Sequence, residues 1–252
     1  MTKSSDLLIG AERVAMVTGA SSGIGLAIAR SLLNEGLHVI CAARSLDKCT
    51  MNFSEYGDRA LPLRLDVTDR DAVGALPGTL PSQWQDVDIL VANAGSNVGG
   101  GKRFDEGSAS DWTGTIDTNL TGLITLCHAM LPGMLRRGEG HVVSIGSVAS
   151  TFTYPGGAAY SASKYGARAF FESLRQDYKA SPIRITEILP GFVKTGFAKA
   201  RYRGDAELAE TFYDKLPGHL TPSDVAASVL FALNQPKEVN IAQIVITPTW
   251  DK

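Results

Sequence analysis

Tyr160 and Lys164 are separated by Ser161-Ala162-Ser163, and Ser147 stands thirteen residues before the tyrosine. On a helix, positions i and i+4 share a face, so a phenol and an ammonium at this spacing reach one small volume. A free phenol has a pKa of about 10. A fixed positive charge beside it favours the phenolate and lowers that value. The spacing therefore predicts a tyrosine tuned to protonate a carbonyl oxygen or to deprotonate an alcohol. The hydroxyl of Ser147 is expected where negative charge develops on the substrate oxygen, the place at which a preorganised hydrogen bond matters most.

A proton donor of this kind needs a reaction, and the run Thr18-Gly19-Ala20-Ser21-Ser22-Gly23-Ile24-Gly25 points to one. It follows a β-rich segment, Arg13 to Val17, and opens an amphipathic segment, Ile24 to Glu35, closed by Gly36. Glycines in a strand–loop–helix setting let backbone amides approach a pyrophosphate, and the helix N-terminus favours its negative charge. The spacing is GxxxGxG rather than GxGxxG. With a nucleotide cradle and a tuned phenol in one chain, hydride transfer is the expected chemistry. The end of the second strand discriminates between the nicotinamide cofactors, because a carboxylate there would bond the ribose 2′-hydroxyl and repel a 2′-phosphate. Here the run is Cys41-Ala42-Ala43-Arg44-Ser45. Arg44 can pair with a 2′-phosphate and Ser45 can add a hydrogen bond, so NADP is expected over NAD.

The elements that must position these groups alternate short β-rich runs with longer helical ones, which implies α/β architecture. The expected strands after the first are Leu37–Ala42, Leu61–Leu65, Val87–Ala92, His141–Ile145, Ile183–Leu189 and Val239–Ile246. A long helical stretch covers Asp111–Arg137 and is expected to be interrupted late, at Pro132-Gly133. Ala158–Lys179 is the helix that carries Tyr160 and Lys164, and Thr221-Pro222-Ser223-Asp224 caps the helix before the last strand. Asp69 and Asp71 start another helix, where carboxylates complement the dipole. The expected fold is a single Rossmann-type doubly wound parallel sheet of about seven strands with helices on both faces, spanning 1–252 as one domain. The segment 192–220 mixes Lys194, Lys199, Arg201 and Arg203 with Phe197, Tyr202, Phe212 and Tyr213, the composition of a substrate lid.

At 252 residues and a net charge of -2, the chain can bury one large core and carries no basic cluster of the kind a nucleic-acid binder needs. Cys41, Cys49 and Cys127 show no paired spacing and read as ordinary reduced thiols. No stretch approaches the roughly 18 apolar residues that span a bilayer, and no leader pattern opens the chain; the expected location is the cytoplasm. His38, His128, His141 and His219 are scattered without cysteine or carboxylate partners at ligand spacing, so no metal site is expected. Ser144-Ile145-Gly146-Ser147 lacks the spacing of a nucleophile elbow.

These motifs together resemble the short-chain dehydrogenase/reductase family nearly end to end. The resemblance is carried by Thr18–Gly25, Asp66-Val67, Asn93-Ala94-Gly95, Asn119 in Asn-Leu-Thr-Gly, Ser147, Tyr160-Ser-Ala-Ser-Lys164, and Pro190-Gly191 with Thr195. It implies that Tyr160 is the general acid/base and that Lys164 lowers its pKa while binding the nicotinamide ribose. It further implies that Ser147 holds the substrate oxygen and that Asn119 supports a water-linked proton relay. Gly19, Ser21, Ser22, Gly23, Ile24 and Gly25 would then cradle the phosphates, with Asp66 and Val67 edging the adenine. Asn93, Ala94 and Gly95 would line the cleft, and Pro190, Gly191, Val193 and Thr195 would meet the carboxamide and phosphates. Many members have Asn-Asn-Ala-Gly where this chain has Ala92 before Asn93, which removes one side-chain hydrogen bond.

Within the family the chain is similar to NADP-dependent 3-hydroxy acid and serine 3-dehydrogenases and to sulfoacetaldehyde-type reductases. That implies a small hydroxy acid or an anionic aldehyde as substrate. The cationic residues clustered after Gly191 lead to the expectation that Arg201 or Arg203, with Tyr154 beside Ser147, holds its anionic end. A reductase of bulkier neutral ketones and a cofactor-binding regulator without turnover stand as alternatives. Assembly as a homotetramer or dimer through the two long helices is implied by the resemblance.

Overall fold

A computed structural model describes residues 12–250. In chain order its elements are β1 (Val14–Thr18), α1 (Gly23–Asn34), β2 (His38–Ala43), α2 (Leu46–Phe53), β3 (Ala60–Arg64), α3 (Arg70–Thr79), β4 (Val87–Ala92), α4 (Ala109–Ile116), α5 (Gly122–Arg137), β5 (Gly140–Ile145), α6 (Ala158–Asp177), β6 (Ile183–Pro190), α7 (Phe197–Arg201), α8 (Ala206–Asp214), α9 (Pro222–Leu233) and β7 (Gln243–Ile246). The strands form one sheet in the order β3-β2-β1-β4-β5-β6-β7, and every pairing is parallel. Parallel strands need crossover helices, which cover both faces and make the strands apolar throughout rather than alternating. β1 shows this: Ala15 and Val17 pack under α1 and α9, whereas Val14 and Met16 pack on the opposite face with α5.

The order reverses between β1 and β4, so the connections leaving their carboxyl ends run to opposite sides and leave a crevice there, the place at which open α/β sheets bind ligands. The glycine loop, Arg44, Asp66, Asn93, Ser147 and Gly191 follow the carboxyl ends of successive strands, whereas Tyr160 and Lys164 lie on α6 and Asn119 lies just before α5.

Local chemistry explains most boundaries. Thr221 and Asp224 form a reciprocal capping box with Pro222 in the first turn of α9. Asp69 caps α3, its carboxylate accepting from the Ala72 N–H at 3.0 Å. The expected break at Pro132-Gly133 does not occur, because α5 runs through Pro132 to a left-handed Gly138. Leu126, Met130, Leu131 and Met134 are buried on its inner face, and that burial outweighs the one hydrogen bond the proline removes. The irregularity falls earlier, as a π turn over Asp117–Thr121. The last strand is shorter than the expected Val239–Ile246. Asn240 Oδ1 instead accepts from the Ile185 N–H at 2.8 Å, and the Ile241 carbonyl accepts from Thr186 Oγ1 at 2.7 Å, so side chains replace the ladder until Gln243. Cys41, Cys49 and Cys127 are buried and free.

His141 lies in the middle of the sheet, fully buried, with Nε2 2.8 Å from Thr186 Oγ1 and no partner for Nδ1. Burial, reinforced by the charges of Arg184 and Arg13, holds its pKa well below the ordinary value. The folded state therefore keeps this ring neutral while the unfolded chain protonates it at about pH 6.5. Its contribution is complete above that pH and is lost as pH falls below it. Melting temperature should drop between about pH 6.5 and 5, and His141→Asn should flatten that part of the profile. An unchanged slope in the variant would assign the acid sensitivity to other groups.

Candidate active site

The glycine loop is built by contacts that exclude side chains. Gly19 and Gly23 adopt left-handed backbone, with φ of 69° and 56°. A Cβ on Gly25 would lie 2.4 Å from the Gly19 carbonyl oxygen and 2.5 Å from Asn93 Nδ2, so the first turn of α1 closes on β1 only because that residue is glycine. Asn93 Nδ2 donates to the Thr18 carbonyl at 2.8 Å. Thr18 Oγ1 accepts from the backbone N–H groups of Asn93 and Ala94, each at 3.1 Å. The two sides of the crevice, Thr18-Gly19 and Asn93-Ala94-Gly95, are thereby locked together.

Arg44 and Ser45 stand exposed at the carboxyl end of β2, and Ser45 precedes α2, a helix the sequence reading does not assign. Asp66 follows β3. Burial alone would raise its pKa, but the N–H and hydroxyl of Thr68, at 3.0 and 2.8 Å, and the Arg44 charge outweigh burial and hold the carboxyl below its usual value. Val67 is buried, and its carbonyl would be 2.7 Å from a Cβ on Gly122, so that glycine lets α5 approach it. On the far side, Gly191 donates its N–H to the Ile246 carbonyl, and the chain passes through Val193 to Thr195. Thr195 lies close enough over the loop that a Cβ on Gly23 would be 3.4 Å from its Cβ. Tyr213 of α8 pins this passage, its hydroxyl accepting from the Thr195 N–H at 3.2 Å and lying 3.1 Å from the Val193 carbonyl.

Ser147 has extended backbone after β5, and its Oγ accepts from the Ala149 N–H at 3.1 Å, leaving its own O–H free to donate. The Tyr160 hydroxyl meets the Ser147 hydroxyl. One turn along α6, Lys164 is buried with Nζ 5.8 Å from the Tyr160 ring centre, and it donates to the Ile145 carbonyl at 3.0 Å. Here the expectation of a depressed phenol is corrected. Burial pushes Tyr160 up to about 12, against the opposing bond from Ser147, and Tyr154 adds to the rise while Arg201 reduces it. Burial likewise pulls Lys164 down to about 8, although Glu187 opposes it. An ion beyond hydrogen-bonding reach of the hydroxyl does not offset the desolvation of a phenolate screened by its neighbours. The phenol is thus held as a proton donor.

Asn119 sits in the π turn, 4% exposed. Its Oδ1 accepts from the Ser96 N–H at 2.7 Å, and its Nδ2 donates to the Ser96 carbonyl at 2.8 Å and to Ser163 Oγ at 2.9 Å. Ser163 in turn donates to the Tyr160 carbonyl at 2.7 Å, so one amide ties the Asn93 loop to the helix bearing the phenol. Asn119 and Lys164 also share a cavity of ≈ 10 Å³ with Thr18, Thr118 and Ser144, room for about one water.

The segment over the site folds as α7 and α8. Phe197 packs edge-on against Tyr160 with ring centres 5.7 Å apart, a neighbour the sequence reading missed although it lies in the aromatic run of the expected lid. The two arginines part company. Arg201 lies 5.9 Å from the Tyr154 ring centre, 5.8 Å from Tyr202 and 5.4 Å from Phe212, and its buried Nε has no hydrogen-bond partner. Arg203, with φ of 55°, is exposed and pairs with the Asp111 carboxylate. The structure therefore brings Arg201, not Arg203, beside Tyr154.

A doubly wound sheet with a glycine-lined crevice at its switch point, and a buried ammonium beside a half-buried phenol and hydroxyl at the adjoining strand end, defines a dehydrogenase-type nucleotide fold. Comparison with known proteins agrees. The short chain dehydrogenase family model matches residues 13–206, and the chain belongs to that family. It is 38% identical over 236 residues to the NADP-dependent 3-hydroxy acid dehydrogenase YdfG of Salmonella typhi, covering 93% of this chain and 94% of that protein. It is 34% identical over 233 residues to the serine 3-dehydrogenase of Agrobacterium fabrum, covering 92% of each. Among solved structures, the closed form of serine dehydrogenase complexed with NADP+ superposes with a TM-score of 0.91 at 37% identity, covering 95% of this chain and 96% of that one. Among the described residues no helix is long and apolar enough to cross a membrane, and no His, Cys, Asp and Glu side chains cluster as metal ligands.

Proposed function

We propose that the protein is an NADP(H)-dependent oxidoreductase that interconverts a small hydroxy acid and its anionic aldehyde or ketone. The observation that carries the reading is Tyr160, a half-buried phenol between the Ser147 hydroxyl and Lys164, at the edge of a crevice that glycines 19 and 25 leave open. The residues fit the cofactor. Backbone amides of Ser21–Gly25 would hold the pyrophosphate at the start of α1, and Arg44 would offer its charge to a 2′-phosphate. Asn93, Gly95, Pro190, Gly191, Val193 and Thr195 would line the cofactor cleft, and Lys164 would bind the nicotinamide ribose. When bound, the nicotinamide supplies the hydride.

The chain's own groups handle the proton. In the reducing direction Tyr160 gives its proton to the carbonyl oxygen as negative charge develops there, and Ser147 donates a second hydrogen bond to the same atom. A neutral phenol suits that task. Proton return would run past Lys164 toward the one-water cavity beside Asn119. In oxidation the same groups act in reverse.

The substrate class rests on Arg201. A guanidinium ringed by Tyr154, Tyr202 and Phe212, close enough to act on Tyr160, would hold a positive charge for the remote end of a short substrate whose carbonyl meets the phenol. Segment 192–220 would act as the lid that brings it there, with Phe197 excluding water above Tyr160. Malonic semialdehyde, succinic semialdehyde, sulfoacetaldehyde and a neutral aryl ketone, each offered with NADPH, test the reading. Fast oxidation of NADPH with a short anionic aldehyde is expected. Preference for the neutral ketone would remove the anion clamp, and absence of turnover despite cofactor binding would remove the enzymatic reading. Arg201→Met should raise KM for the preferred anion about 10- to 100-fold, the cost of one charged hydrogen bond, and leave a neutral aldehyde unaffected. Arg203→Met should change neither.

A further inference from the structure

Glu187 is fully buried, and among the described residues no other carboxylate is buried to that degree. Its place follows from the sheet register. Ser144, Glu187 and Gln243 are paired across β5, β6 and β7, so they stand side by side in one row. Ile183 and Ile185, four and two residues earlier on β6, point into the core beneath α6, and strand alternation puts Glu187 on that face. Gln243 Nε2 donates to Oε2 at 3.0 Å, whereas Oε1 has no hydrogen-bond partner. Oε1 is directed at Gly146, where a Cβ would lie 3.1 Å from it. Gly146 separates Ile145, whose carbonyl receives the Lys164 ammonium at 3.0 Å, from Ser147.

The facing helix is charged in the opposite sense. Lys164, Arg168 and Arg175 occupy positions i, i+4 and i+11 of α6, one stripe of the helix. Arg168 and Arg175 each donate one guanidinium N–H, to the Ser150 and Ala242 carbonyls, at 3.2 and 3.3 Å. Lys164 alone of the three is buried, and both it and Ser144 line the small cavity beside Asn119. A carboxylate buried without a matching cation would cost several kcal/mol, roughly as much as the ammonium buried without an anion. Each therefore answers the other's burial, across a medium in which Coulomb forces carry farther than in water.

We infer that Glu187 is the buried counter-charge of Lys164, a positioning residue that keeps the lysine an ammonium beneath the reacting phenol. The electrostatics agree in both directions. Burial lowers Lys164 and Glu187 opposes it. Burial raises Glu187, and Gln243, Arg175, Lys164 and Arg168 oppose that.

The test needs neither substrate nor cofactor. In protein labelled with ¹³Cε-lysine, the Lys164 signal is identified by its loss in Lys164→Met and followed through pH. In the wild type it should titrate near 8. In Glu187→Gln, which keeps the shape and removes the charge, the titration should move down by about one pH unit. Gln243→Leu strips the bond from Oε2, makes the carboxyl easier to protonate, and should move Lys164 the same way by less. A purely structural Glu187 would lower the melting temperature and leave the Lys164 titration where it was. An unmoved titration in Glu187→Gln, or in Gln243→Leu if the first variant does not fold, overturns the inference.

Discussion

Replacing Tyr160 by phenylalanine should lower kcat by about 10²- to 10⁴-fold, the range a positioned proton donor supplies. Binding of NADPH, measured by fluorescence titration, should be unchanged within a few-fold, because the ring itself and its packing against Phe197 remain. The pH dependence separates this from a folding defect. Burial sets Tyr160 near 12, so the phenol is protonated across the neutral range and reduction finds its donor already loaded. Oxidation instead needs the phenolate, whose population rises about tenfold per pH unit below the pKa. Wild-type alcohol oxidation should therefore climb with pH, and the residual rate of Tyr160→Phe should not. A variant that kept most of its rate, or kept the wild-type pH slope, would show that the proton travels by another group.

The second large effect concerns the cofactor. Arg44→Asp exchanges a charge that can pair with a 2′-phosphate for one that repels it and can bond a ribose 2′-hydroxyl. Loss of one charge-assisted hydrogen bond costs about 1.5–3 kcal/mol, which is about 10- to 150-fold in affinity. NADPH should weaken by at least that factor while NADH improves, giving a switch in the ratio of the two kcat/KM values. Arg44 is exposed at the end of β2, so the exchange removes no buried contact and the fold is expected to be unchanged. An unaltered NADPH/NADH ratio would mean that the 2′-phosphate is read elsewhere, for instance by Ser45 and the loop backbone.

The elements differ in how far local sequence could place them. Strand β4, the capping box of α9 and the helix bearing Tyr160 are legible because short apolar runs, caps and i,i+4 spacing are short-range properties. Helix α2 is not, since its apolar contribution is little more than Cys49 and Phe53. Pro132 misleads for the opposite reason: a local helix breaker is overruled by an inner face buried along the whole of α5. In the site, the groups on short motifs are where the motifs put them. The partners that finish the site come from distant segments, as Ser163 does for Asn119 and Tyr213 for Thr195, and no spacing rule relates them.

From its own residues and the resemblance they carry, the sequence determines a parallel α/β fold, a nucleotide cradle, and the identity of the phenol, ammonium and hydroxyl. All of these depend on residue type and neighbours within a few positions. Three matters were decided only by the tertiary structure, because each depends on burial or on segments brought together from afar. The enclosure of Tyr160 reverses the expected direction of its pKa. The path of segment 192–220 sends Arg201 to Tyr154 and Arg203 to Asp111. Sheet register puts Glu187 beneath the stripe of α6 that holds Lys164, a pairing across more than twenty residues that desolvation makes matter and that no local pattern encodes.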